Sequence, residues 1–427
     1  MASIIASAIK LPNPYLTKLI HGWTSLGCEK ENHLPAPIRW TMQVIALGLL
    51  LSCMAVSVPS ISGVTPSNDT TNNAPSPSSP HLPKQPTGLT VVNNLEPGTP
   101  VASFFDGKLF DDRTYSNPNI AGLTFRTSWA DIEPTQGNFV WNKPDTVFNE
   151  AEKNNKWVEL VLIPGFGRPA WALQGVQTST FGVNYGPGKG DQFLLPLPWD
   201  QTYLNRWFTF LKAVSARYQN RSSFIKIAAD GPTSITGEMT LLDTPADICT
   251  WVKLGYTSDR IIAAWKRVFT NYAQIFPRQY FSLALYPPLP IVSTTRCENG
   301  IPNGIDHTES QRVRDILIGL GADNYPKRFI LQENGLTWSG GETTIGAYNI
   351  VKSYSGKVVI GYQLATSAMS NPIYMGDPDG ATALQNSLQR GIDGHAQFLE
   401  VYEQDVLSPA AQNVLAAFSG ELASGAH

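Results

Sequence analysis

The chain has 427 residues, 42% hydrophobic and 15% charged, so it can bury a large core and does not have the composition of a disordered protein. Lys and Arg number 31 against 34 Asp and Glu, and the net charge of −3 excludes the basic footprint of a nucleic-acid binder. The 11 Trp, 15 Tyr and 18 Phe supply rings that suit neutral ligands.

Residues 1–63 read as a targeting or anchor region. Within them 43-QVIALGLLLSCMAVSV-58 is a charge-free apolar run of the length of a signal core or a short anchor. A cleaved signal, a retained anchor and a lipid anchor on Cys53 of 50-LLSC-53 stay open, and each implies an extracellular or surface-anchored protein with a possible membrane tether. Residues 64–88, containing 65-TPSNDTTNNAPSPSSPHLPKQPTG-88, are rich in Pro, Ser, Thr and Asn and have almost nothing to bury. They are expected to form a disordered linker.

Residues 89–427 read as one domain of alternating strands and helices. Strands are expected at 100-PVASFF-105, 121-AGLTFRTSW-129, 157-WVELVLIPG-165, 224-FIKIAADG-231, 280-YFSLALYP-287, 328-RFILQE-333, 357-KVVIGYQLA-365 and 397-QFLEVY-402. Between them lie segments of helical spacing, such as 202–220 and 259–276. Strand-helix alternation means parallel pairing. Eight such units predict a closed (β/α)8 barrel, and no Gly-rich phosphate turn follows the first strand to favour a nucleotide-binding sheet.

In such a barrel chemistry sits at the carboxyl ends of the strands. The second strand ends near Trp129, Asp131 and Glu133, and Trp171 follows the third. Asp230 and Glu238 follow the fourth, Glu333 closes 328-RFILQE-333 with Trp338 beyond it, and Gln363 closes the next strand. Carboxylates among Trp rings suit glycoside hydrolysis, in which indoles stack on sugar faces while one carboxyl protonates the leaving oxygen and another attacks carbon or activates water. The six His have no metal-ligand spacing and no Gly-x-Ser-x-Gly occurs, so neither a cofactor nor a serine nucleophile is expected.

The run 123-LTFRTSWADIEPTQGNFVWNKPDTVFNEAEKNNKWVELVLIPG-165 resembles the second-to-third-strand region of clan A glycoside hydrolases, the retaining (β/α)8 enzymes that include families one and forty-two. Similarly, 332-QENG-335 resembles the Glu-Asn-Gly that carries the family one nucleophile, and 357-KVVIGYQLATS-367 resembles the strand after it. There are two departures. The place of the family's Asn-Glu at the fourth strand reads 229-ADGP-232, leaving Glu238 as the nearest replacement. With 100–105 as strand one, Glu333 falls on strand six and Gln363 takes the nucleophile's expected position on strand seven.

The expected function is therefore a glycosidase acting on a neutral, β-linked oligo- or polysaccharide by a retaining mechanism. Glu333 would be the nucleophile, Glu238 the acid/base, and Trp129, Asp131, Trp171, Asp230, Trp338 and Gln363 would bind substrate. The alternative is a tethered glycan-binding barrel that has lost catalysis. Cys249 and Cys297, the only cysteines of the domain, lie in loops after consecutive strands and are expected to form a disulfide.

Overall fold

The computed structural model describes residues 84–93, 107–182, 190, 192–231, 238–338 and 346–424. Eight strands carry the fold: β1 (Gly88–Val92), β2 (Gly122–Ser128), β3 (Trp157–Ile163), β4 (Phe224–Ala228), β5 (Tyr280–Ala284), β6 (Phe329–Leu336), β7 (Val359–Leu364) and β8 (Phe398–Tyr402). Each pairs in parallel with its neighbours in sequence, and β8 returns to β1, closing the barrel. A short helix, Asp112–Ser116, follows β1. After the other strands come α1 (Asn142–Lys153), α2 (Gln201–Tyr218), α3 (Ser258–Ile275), α4 (His307–Ala322), α5 (Ala347–Ser353), α6 (Gly380–Asp393) and α7 (Gln412–Ser424). This is the predicted (β/α)8 barrel.

The first strand is not where the sequence suggests. Residues 100–105 lie outside the described residues, as do Cys53 and the apolar run 43–58. The barrel is closed instead by Gly88–Val92, all five residues of which are buried between β2 and β8. Its signal is a mere four apolar-rich residues emerging from a Pro/Thr segment. The count of strands is unchanged, so β6 with Glu333 is the sixth and β7 with Gln363 the seventh.

Local chemistry explains the outer layer. In α3 the buried residues Ile261, Ala264, Trp265, Val268, Phe269, Tyr272 and Ile275 recur every three or four positions, the stripe a helix needs to seat on a sheet. Asp200 caps α2, Thr257 caps α3 and Asp379 caps α6, each accepting a first-turn amide that has no partner inside the helix. Helix Pro245–Lys253, between β4 and α3, starts with a capping box of Thr244 and Asp247 and Pro at its first turn. Its Cys249 is bonded to Cys297 of the hairpin Arg296–Glu298/Ile301–Asn303 after β5, with Cα atoms 5.6 Å apart. Among the described residues no helix is long and apolar enough to cross a membrane.

Inside the barrel, side chains alternate in and out along each strand. The amino-terminal end is floored by Ile225, Tyr280, Ile330, Val359 and Phe398, with Trp157 packed against them. Two glycines admit the large rings: a Cβ on Gly361 would lie 2.2 Å from the Phe398 ring, and one on Gly122 would lie 2.3 Å from the Trp157 indole. Trp157 and Phe398 meet edge to face at 6.2 Å. Above this floor the interior turns polar.

Candidate active site

The first polar layer is built from residues in the middle of apolar strands. Lys226 of β4 has a fully buried side chain and donates from Nζ to Glu159 Oε2 of β3 at 2.7 Å and to Gln332 Oε1 of β6. It also lies 4.4 Å above the Phe398 ring of the floor. Thr124 of β2 donates to Glu159 at 3.1 Å and bonds Glu400 of β8. Gln332 Nε2 completes the ring, donating to Asn334 Oδ1 at 2.8 Å and reaching Glu400 Oε2 at 3.4 Å. Charges this deep persist only when paired and hydrogen-bonded. Burial, and then the negative charge of Glu159, push the Glu400 carboxyl up to about 7, against the pull of Lys226, Thr124 and Arg126.

The next layer holds Arg126, Asn334, Gln363 and Tyr402. The Arg126 guanidinium lies 5.8 Å from the Tyr402 ring centre, and Gln363 Nε2 donates to the Tyr402 hydroxyl at 3.1 Å. Between the two layers is a cavity of ≈ 10 Å³ lined by Arg126, Glu159, Gln332, Asn334, Gln363 and Glu400 among others. That is room for about one water and not for a sugar.

Two carboxyls stand at the mouth. Glu238 pairs in register with Ala284 at the end of β5 and is half-buried. Its Oε1 accepts from Asn334 Nδ2 at 3.2 Å and its Oε2 from the Thr240 hydroxyl at 3.1 Å. Asp230, two residues beyond β4, has no exposed surface, and neither carboxyl oxygen finds a hydrogen-bond partner among the described residues. Its backbone amide donates to the Tyr272 hydroxyl at 3.2 Å, which fixes the chain there. Burial raises the Asp230 carboxyl well above the ordinary carboxylate range, and the charges of Glu159 and Glu238 raise it further. Both effects favour the protonated acid over the carboxylate.

Other residues singled out from the sequence fall differently. Glu333 is only 1% exposed and alternates with the cavity-lining Gln332 and Asn334, so its side chain leaves the opposite face of β6. Its Oε1 accepts the amide of Gly335 at 2.8 Å, beside the register shift that separates Glu333 from Leu336. The expected nucleophile is thus not part of the cavity. Trp129 is also corrected: it is 0% exposed and packed among Trp171, Tyr203, Trp207 and Phe210, a core residue and not a sugar platform. Glu133 accepts its indole N–H at 2.8 Å and the Gly137 amide at 2.8 Å, a structural duty. Asp131 is engaged by Lys143 at 2.9 Å and by the Thr127 hydroxyl at 2.9 Å. Trp171 is half-buried and tied through its indole N–H to the Glu133 carbonyl at 3.2 Å. Trp338, 49% exposed just beyond β6, is the one of these rings that faces solvent broadly.

Glu159, Lys226 and Asn334 were not among the residues chosen from sequence. A charge inside 157-WVELVLIPG-165 and inside 224-FIKIAADG-231 was the available signal, since an unpaired charge in an apolar strand would be prohibitive.

No family model matches the chain, and no curated protein matches it. Among solved structures it is similar to the catalytic domain of β-amylase from Paenibacillus polymyxa, with 12% identity, TM-score 0.49, and 80% of this chain and 98% of that one covered. It is also similar to xylanase 10C from Cellvibrio japonicus, with 12% identity, TM-score 0.44, and 84% and 69% covered. A third is the intracellular xylanase of Thermoanaerobacterium saccharolyticum, in complex with xylotetraose, with 12% identity, TM-score 0.40, and 74% and 85% covered. The barrel itself rests on the strand order above.

Proposed function

We propose that the barrel mouth is the site of a glycosidase that acts on a neutral, β-linked oligo- or polysaccharide through two carboxyl groups, Asp230 and Glu238. The observation that carries this reading is the Asp230 carboxyl, fully buried at the end of β4, without a hydrogen-bond partner among the described residues and biased toward its protonated form. A carboxylic acid that keeps its proton is what departure of a sugar oxygen needs. Glu238, held by two donors, supplies the second carboxylate, attacking the anomeric carbon in a retaining reaction and stabilising the oxocarbenium-like charge that develops there. Trp338 offers its exposed indole as a stacking surface for a sugar face.

A second reading, a glycan-binding barrel without turnover, is favoured by the ≈ 10 Å³ cavity and by the lack of any exposed surface on Asp230. An aryl-glycoside and glycan screen of residues 84–427, beside the Asp230→Asn variant, separates the two. Hydrolysis lost in Asp230→Asn, with the product anomer read by NMR, supports the enzyme; binding without turnover in the parent supports the binding protein.

We further propose that residues 1–83, ahead of the chain that leads into β1, hold the barrel at or outside the cell surface. The apolar run 43–58 supports this, as does a cystine at the mouth, since such bonds persist in oxidising compartments. Recovery of the full chain in the soluble cytoplasmic fraction, with Cys249 and Cys297 reduced, would refute it.

A further inference from the structure

In the segment 332-QENG-335 the residues on either side of the glutamate reach the barrel interior. The orientation of each amide follows from its hydrogen-bond partners. An ammonium group only donates, so Lys226 must face the carbonyl oxygen of Gln332, as it does. The Gln332 NH2 is thereby turned the other way, onto Asn334 Oδ1 at 2.8 Å and Glu400 Oε2 at 3.4 Å. With its carbonyl occupied, Asn334 has only its NH2 left for the mouth, and that group meets Glu238 Oε1 at 3.2 Å. A buried positive charge thus dictates, through two amides in series, that Glu238 is met by a donor.

We propose that Lys226, Gln332 and Asn334 form a positioning relay that orients the Glu238 carboxyl and holds a hydrogen-bond donor against it. The proposal rests on the assignment of Glu238 to the reaction in so far as it concerns catalysis, but its geometry does not. Lys226 is itself held by Glu159 and the floor ring Phe398, so the relay is anchored on a buried ion pair next to the barrel floor. Other groups that act on Glu238 include the Thr240 hydroxyl, Asp230 after β4, Tyr286 after β5 and Tyr402 of β8. None of these four is hydrogen-bonded to Gln332.

The test is the titration of Glu238, followed by NMR of side-chain carboxyl carbons in the full-length parent protein and assigned by its disappearance in Glu238→Gln. Asn334→Ala deletes the donor and adds no charge, and the expected result is a rise of about one pH unit in the Glu238 titration midpoint, the effect of losing one donor to the charged form. Gln332→Met keeps the length and adds no charge but removes the NH2 that holds Asn334 Oδ1, which frees the Asn334 amide to turn, so a smaller rise is expected. Asn334→Ala decides the matter alone if Gln332→Met does not fold. A Glu238 midpoint unmoved in a folded variant overturns the relay. Turnover is read separately: full activity in Glu238→Gln would refute the catalytic reading while leaving the relay standing, and a shifted pH profile in Gln332→Met joins the two.

Discussion

The two halves of the barrel interior solve the same filling problem in opposite ways. At the amino-terminal end, Phe398 and Trp157 occupy the space vacated by Gly361 and Gly122, and the contacts are apolar and close. From the Thr124–Lys226 level upward, hydrogen bonds fill the tube: Lys226, Glu159, Glu400, Gln332 and Asn334 form a connected set that ends on Glu238. Burying a large ring yields about 1.5–3 kcal/mol wherever it is placed, and tolerates no added atoms once packed. A polar chain returns little net stability, but it specifies direction. The floor is therefore where the fold is secured, and the upper half is where orientation is transmitted.

The sharpest way to test that division is to strike the mouth. Glu238→Gln should lower kcat by about 10²–10⁴-fold while leaving the unfolding midpoint near the parent's, because the swap preserves shape, the Gln oxygen can still accept from Asn334 Nδ2, and the Thr240 hydroxyl can turn to accept from the new NH2; a large stability loss instead would place Glu238 among the structural groups. Next in size is the cystine after β4 and β5. The pair Cys249→Ser and Cys297→Ser opens a loop of sequence separation 48, worth about 4 kcal/mol in the chain-entropy model, measurable by urea unfolding. If the comparison holds, the loss is thermodynamic only, and the Glu238 titration stays in place.

A third experiment addresses the buried acid. The Glu400 carboxyl titrates at about 7 in the fold against an ordinary 4.5, so its neutral form favours the folded state. That contribution is complete below the unfolded value and is lost as pH rises through about 7. Between about pH 5 and about pH 8 the parent should lose up to roughly 3 kcal/mol more stability than Glu400→Gln. Parallel pH curves for the two proteins would show that Glu400 does not titrate in this interval. On the floor, Gly361→Ala should cost about 1–3 kcal/mol by overpacking Phe398, with activity per folded molecule unchanged. Smallest of all, Trp338→Ala should weaken glycan binding by about fivefold, close to 1 kcal/mol, and leave stability alone.

Alternation of apolar runs and helical stripes was enough to read the barrel, because those periodicities are local. Seven of the eight strands lie where the sequence places them, and the exception, Gly88–Val92, is short and abuts a Pro-rich segment whose composition masks it. The Cys249–Cys297 pairing was legible for a similar reason, since loops after consecutive strands are neighbours. The site was less legible. Whether Glu333 or its neighbours face inward depends on a parity set by barrel closure, and a one-residue difference reverses it. Trp129 carries the same lesson, as a strand-end aromatic whose surroundings in α2 are remote in sequence. Lys226 and Glu159 make sense only as a pair, and their separation of 67 residues hides the partner.

The ring stopper formed by Phe398 and Trp157 has a consequence for traffic. Among the described residues, apolar side chains fill the amino-terminal end of the interior. Protons and deuterons that enter from the opposite end meet Asn334 and Glu238 before Gln332, Lys226 or Glu400. Isotope exchange of those side chains should therefore slow with depth, and a sugar seated over the mouth should slow all of them together.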